Sequence, residues 1–323
     1  MRGLLLAAAE GFLCLTLTGG EARAAEPLVE VLSPAGDRQS APHGRGNIYA
    51  PDVMVEGGRY RMWFGGQGRD GHDRIQLAES GDGLTWQSRG VVLEDRDANH
   101  VNDPSVVKVG TTYFMYYTRA GSDVRDDIAL ATSEDGVVWA KKGVVLRPTA
   151  AGAWDSLLVG RPSVLVEGGL FRMWYDGRKD LPPDAPAENV PKSSRSVRAV
   201  GYAESRDGYA WERAGKAPVF GGDAGGVHVT RVGDGYAMVY ESRDGTRLAI
   251  GTDGRTWAAR GVLVARSGGD ADAFGHVTPF LLTGPGRKAA TLFVGAARSK
   301  SWDQNSIARV TLTPTQLRRI GEP

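Results

Sequence analysis

Cysteine is almost missing from this 323-residue chain: Cys14 is the only one. A lone thiol leaves no intramolecular disulfide to staple the fold. Net charge is also nearly missing. The 39 basic and 38 acidic residues leave a formal charge of +1, which removes the electrostatic case for a nucleic acid or a membrane surface as partner. Long apolar runs are confined to "LLLAAAEGFLCLTLTG" (4–19), which Glu10 interrupts and which is too short for a membrane anchor. Beyond it no 3.6-residue apolar period is sustained, so long helices are not expected. Glycine, by contrast, is abundant at 45 residues, beside 8 Trp and 10 Tyr. That pairing predicts tight turns between aromatic-rich strands.

The N-terminus has the layout of an export signal. Arg2 supplies the positive charge, the apolar run follows, and Ala22-Arg23-Ala24 offers an A-x-A cleavage site. Residues 1–24 are read as a signal peptide and 25–323 as one domain. Cys14 falls inside the signal, and the "GFL" before it is wrong for a lipoprotein. The expected product is a disulfide-free, exported protein, periplasmic or extracellular, monomeric and free of the membrane.

Four stretches repeat one pattern: "SGDGLTW" (80–86), "SEDGVVW" (133–139), "SRDGYAW" (205–211) and "GTDGRTW" (251–257). Each follows an aromatic strand, such as "RYRMWFGG" (59–66) or "LFRMWYDG" (170–177), and each precedes another strand. A fifth, degenerate copy lacks the D-G-x-x-W element. Successive motif aspartates lie 53, 72 and 46 residues apart, the excess being the polar, proline-rich insertion 179–196. Four short strands per unit of roughly fifty residues predict an all-β, five-bladed β-propeller with four-stranded antiparallel blades. "PLVEVLS" (27–33) would close the ring by joining the last blade. In the motif the Asp accepts N–H groups of its own turn, the Gly supplies a positive φ, and the Trp packs between blades.

In such a ring the first strand of each blade lines the centre, so its start contributes to a shared pocket. The five starts read "NIYAPDV" (47–53), "HVNDPSV" (100–106), "LVGRPSV" (158–164), "GVHVTRV" (226–232) and "GHVTPFL" (275–281). They offer Asp52, Asn102, Asp103, Arg161, His228, Arg231 and His276. Asp52 aligns with Ser105 and Ser163, two residues past Asp103 and Arg161. Trp154, in a loop before the third unit, could stack on a sugar ring, or pack on a neighbouring blade.

"YAPDV", "NDPSV" and A-x-S-x-D-G-x-x-W (78–86, 131–139, 203–211) resemble the five-bladed propeller glycoside hydrolases: family 43 arabinanases and β-xylosidases, and the invertase, inulinase and levansucrase group. The resemblance implies acid–base hydrolysis of a plant or microbial glycan by opposed carboxyl groups. It makes Asp103 a channel carboxylate and Asp52 a second. The glutamic acid expected at a later strand start is replaced by Arg161, which cannot donate a proton as a general acid. Glu241 and Asp176, at the ends of second strands, are the substitutes. Arg161, Asn102, His228, His276, Asp176 and Trp154 are the expected substrate contacts. The cationic ones favour an anionic or densely hydroxylated ligand such as a uronic acid. No cofactor is expected, although the resemblance allows a calcium ion in the channel, which His276 could help to hold. A non-catalytic propeller that binds carbohydrate or protein is the alternative. A sialidase fits less well, because its boxes are one residue longer and its units number six.

Overall fold

The structure, a computed structural model, describes residues 27–34, 47–68, 70–121, 125–179, 198–284 and 289–321. The expected signal peptide, and the insertion from residue 180 on, lie outside the described residues. The strands are β1 (Val29–Leu32), β2 (Ile48–Glu56), β3 (Arg59–Gln67), β4 (Asp73–Ser80), β5 (Gln87–Leu93), β6 (His100–Val109), β7 (Thr112–Ala120), β8 (Asp126–Ser133), β9 (Ala140–Leu146) and β10 (Leu158–Glu167). They continue as β11 (Leu170–Arg178), β12 (Ala199–Ser205), β13 (Glu212–Arg213), β14 (His228–Val232), β15 (Gly235–Ser242), β16 (Gly245–Gly251), β17 (Ala258–Ala265), β18 (His276–Thr283), β19 (Ala290–Ala297) and β20 (Asn305–Thr311).

β2–β5, β6–β9 and β10–β13 are separate four-stranded antiparallel sheets. β14–β17 and β18–β20 belong to one larger sheet, joined only at the pair Ser242–His276. β1 adds to the far edge of β20, as the sequence predicts for 27–33. Packed apolar cores lie between consecutive sheets. Trp63 and Leu77 meet Val101 and Met115, and at the other end Phe280 and Phe293 meet Ile48 and Phe64. The last strands thus pack back onto the first.

The repeated motif does what its residue types demand. Asp82 Oδ1 accepts the N–H groups of Leu84 and Thr85, both at 2.8 Å, and Ser80 Oγ accepts that of Gly83 at 2.9 Å. Asp135, Asp207 and Asp253 repeat the aspartate bonds. The glycines at 83, 136, 208 and 254 all have φ between 71° and 79°, a region other residues avoid. Trp139 meets Trp63 at 6.3 Å and Trp211 meets Tyr116 at 5.3 Å, each across the gap to the preceding sheet. The glycine carbonyls have a further role that the pattern alone does not reveal. Gly136 accepts Trp63 Nε1 at 2.9 Å, Gly208 accepts the Tyr116 hydroxyl at 2.8 Å, and Gly254 accepts Trp174 Nε1 at 2.7 Å. Each turn therefore latches onto the second strand of the sheet before it. One short helix, α1 (Pro314–Gly321), packs Ile320 on the last core. Its N-terminus is a capping box: Gln316 accepts the Thr313 N–H, and Thr313 Oγ1 accepts that of Gln316.

Candidate functional site

The first strands β2, β6, β10 and β18, and the residues leading into β14, share one irregularity. Ala50, Asp103, Arg161, Gly226 and Thr278 all have left-handed φ, from 40° to 56°. Four of them precede a proline, and the strand register jumps there, as between Asn102 and Ser105. A bulge suits proline, which has no N–H to offer a ladder. A left-handed non-glycine residue costs roughly 1–3 kcal/mol, so the surroundings must hold it.

Two rings of hydrogen bonds do so. In the first, the residue two past the bulge accepts an N–H from the next first strand. Ser105 Oγ takes Val164 N at 3.0 Å, Ser163 Oγ takes Val229 N at 2.9 Å, and His228 Nδ1 takes Leu281 N at 3.1 Å. Asp52 takes Val106 N in the same way. In the second ring, the end of a second strand accepts the bulge N–H itself. Thr118 Oγ1 takes Arg161 N at 2.7 Å, Asp176 takes Gly226 N at 2.9 and 3.1 Å, and Glu241 Oε2 takes Thr278 N at 3.0 Å.

The rings enclose a channel of about 30 Å³, room for about one water and too narrow for a sugar ring. Asp52 and His228 line it. Burial pushes the Asp52 carboxyl up to about 8 and the His228 imidazole down to about 3. Both serve as ties between strands, and His228 also packs on Phe280 at 4.0 Å.

Above the channel the repeat diverges. Asp103 is buried, and Arg161 Nε lies 3.9 Å from its Oδ2. Burial pushes its carboxyl up to about 6, against the pull of Arg161 and a hydrogen bond from Thr118. Its Oδ1 is buried without a hydrogen-bond donor among the described residues. Arg161 Nη1 meets Asp176 Oδ2 at 3.2 Å, so one guanidinium bridges the Asp103 and Asp176 carboxylates. Glu241 pairs with Arg198 through Oε1, while Oε2 holds Thr278 N. Gly225 and Gly226 make room for this crowding: a Cβ would stand 2.5 Å from Asp176 Oδ2 at the first and 2.4 Å from Glu241 Oε2 at the second.

Asn102 turns away from Asp103 into a polar group. Its Nδ2 donates to the Tyr49 hydroxyl at 2.8 Å, and that hydroxyl donates to Asp73 Oδ2 at 2.8 Å. Asp73 also lies 3.2 Å from His100 Nδ1 and raises the pKa of that imidazole. His276 is not at the mouth. It is fully buried between Thr246 Oγ1 at 2.9 Å and Asp272 Oδ2 at 3.1 Å. Trp154 stacks on Tyr175, centroids 6.0 Å apart, and fills the space over Gly177, both on β11. Arg231 lies farther along β14, over Tyr236. Among the described residues no group of three acidic, His or Cys side chains could hold a metal ion.

Three groups at this face were not singled out from the sequence. Asp126, at the start of β8, is pushed up to about 7 by burial and by the charge of Asp103, against Arg161. Arg178 and Arg198 end β11 and precede β12. The missed signal is geometric. If second strands end at the mouth, antiparallel third strands begin there. With Arg161 and Glu241, the two arginines line a cavity of about 580 Å³ beside the channel.

No family model matches the chain. An uncharacterized protein of Mycobacterium tuberculosis is 34% identical over 140 residues, covering 39% of this chain and 45% of that protein, so the match spans less than half of the relative. A 1,2-β-oligomannan phosphorylase of Thermoanaerobacter sp. is 35% identical over 79 residues, 23% of this chain and 27% of that one. A solved structure described as a glycoside hydrolase superposes with a TM-score of 0.72 at 19% identity, covering 90% of this chain and 92% of that chain. A thermostable family-43 glycoside hydrolase gives 0.63 at 13%, covering 82% and 88%. Identity at this level speaks to fold alone. Over nine-tenths of its length, this chain is similar in fold to solved glycoside hydrolases.

Proposed function

We propose that this chain is an exported, single-domain, five-bladed β-propeller that hydrolyses a glycosidic bond in a plant or microbial glycan. The blade count rests on five bulged strand starts and on cores between successive sheets that return to the first. Export rests on the signal-like residues 1–24. The glycan reading rests on the likeness in fold and on the opposed carboxyl groups.

One observation carries the chemistry. Asp176 and Glu241 each accept donors on both oxygens, so both are engaged as ties to Arg161, Arg198 and the next bulge. Asp103 keeps an oxygen without a donor. We assign Asp103 as the base or nucleophile and Asp126 as the proton donor. Between about pH 6 and 7 the first is ionised while the second keeps its proton, the division of labour that acid–base hydrolysis needs. Asp176 and Glu241 position Arg161 and Arg198. The channel has no room for a sugar, so the glycan binds in the neighbouring cavity with its scissile bond toward Asp103.

A screen of aryl-glycosides and polysaccharides tests this, run with the wild type and with Asp103→Asn. Turnover by the wild type and none by a folded variant is expected. Undiminished turnover by the variant overturns the assignment. Sugar binding without turnover in either protein would favour the non-catalytic alternative, in which the replaced glutamic acid left the fold without its acid.

A further inference from the structure

We infer that the cavity beside Asp103 is an oxyanion subsite, and that it holds the anionic group of an acidic sugar with Arg178 as the contact residue. The inference rests on the glycan reading above and narrows its substrate class.

The first ground is charge. Six cationic side chains line the cavity, Arg161, Arg178, Arg198, Arg243, Arg247 and Lys300, against two acidic ones, Asp223 and Glu241. Both acids are already spent on one residue. Arg198 Nε lies 3.5 Å from Asp223 Oδ1, and its Nη1 holds Glu241. Arg161 is balanced by Asp103 and Asp176 from outside the cavity, and Arg247 by Asp244 at 3.0 Å. Arg243 lies over the Trp302 ring at 4.9 Å and donates to the Lys300 carbonyl at 3.1 Å. Arg178 and Lys300 have no carboxylate partner among the described residues.

The second ground is a missing acceptor. Arg178 is half-buried at the end of β11, and no described group accepts a hydrogen bond from its guanidinium. Burial, and the neighbouring Arg161 and Arg198, bring its pKa down to about 10, against the more distant charges of Asp176 and Asp223. A half-buried guanidinium with no protein acceptor keeps its donors available on the cavity wall, where an oxyanion would make charge-assisted hydrogen bonds to it. The fork of Arg178 matches a carboxylate, and Trp302 offers an aromatic wall for the C–H face of a sugar ring.

Calorimetry on the full chain, with D-glucuronate, D-glucose and inorganic phosphate as separate probes, tests the inference without needing turnover. Glucuronate is expected to bind ~10-fold or more tightly than glucose, the effect of a charged hydrogen bond, and to weaken as salt rises. Arg178→Ala should remove the preference, and Arg178→Lys should restore only part of it. Circular dichroism verifies that both variants fold, and salt sensitivity in the wild type stands as a readout independent of them. Equal binding of glucuronate and glucose overturns the inference, as does a preference that survives Arg178→Ala. Phosphate binding without glucuronate binding also overturns it, assigning the cavity to a free anion. A chain that binds glucuronate through Arg178 and cleaves nothing sinks the hydrolase reading alone. A chain that cleaves neutral glycans and ignores glucuronate sinks the acidic-sugar subsite alone.

Discussion

Asp52→Ser separates a structural carboxylate from a catalytic one. Asp52 occupies the place of Ser105 and Ser163, whose hydroxyls accept N–H groups from the next first strand at 3.0 and 2.9 Å. A serine there keeps an acceptor for Val106 N and removes a buried carboxyl. The magnitude follows from linkage. In the folded chain the carboxyl titrates near 8, against 3.8 for a free aspartate. Between those values the folded state keeps a proton that the unfolded state has released, so folding grows weaker as pH rises. Below about pH 4 both states are protonated and nothing is lost; above about pH 8 the full cost, on the order of 5 kcal/mol, is borne. Urea unfolding of wild type and variant at pH 5, 6, 7, 8 and 9 measures it. Asp103 and Asp126 titrate in both proteins, so the difference isolates residue 52. The variant should gain on the wild type by up to about 1.4 kcal/mol per pH unit between pH 5 and 7. It should also retain turnover. Parallel pH curves would refute the buried-carboxyl argument, and loss of turnover in a folded variant would return Asp52 to the chemistry.

Other outcomes follow from the same geometry. In the proposed mechanism Asp103 acts ionised and Asp126 acts protonated, so kcat/KM should rise with pH through about 6 and fall above about 7. Asp126→Asn should slow turnover of substrates with poor leaving groups most, and an unchanged alkaline limb would refute its role. Gly226→Ala adds a Cβ 2.4 Å from Glu241 Oε2 at a residue with φ of 56°, so a loss of roughly 2–4 kcal/mol is expected in urea melts. Asp135→Ala removes the acceptor of two turn N–H groups far from the mouth; Tm should drop by ~2–4 °C with kcat unchanged.

Much of the architecture is legible in the chain because turn chemistry is local. A positive φ at Gly136 and an acceptor at Asp135 are needed whatever surrounds them, so the motif marks each unit. The alignment of Asp52 with Ser105 and Ser163, two past Asp103 and Arg161, is met by the bulges at equivalent positions. The site was only half legible. Asp126 and Arg198 are not marked by the repeat, because they sit at or just before the starts of third strands rather than at the ends of second strands. His276 looked like a mouth residue by its place in the strand. Its surroundings, Asp272 and Thr246, come from a loop and from another sheet half.

The sequence by itself determined the unit, the turn that ends it, the bulged strand start and the carboxylate and arginine that break the repeat there. These depend on backbone conformations that only certain residues adopt. The tertiary structure decided how each acid is held. Asp176, Glu241 and Asp103 are chemically alike in the chain. They differ because neighbouring strands supply donors to both oxygens of the first two and, among the described residues, leave one oxygen of the third without any. Protonation is set by the donors and the burial around a group, and those are fixed only when the sheets meet.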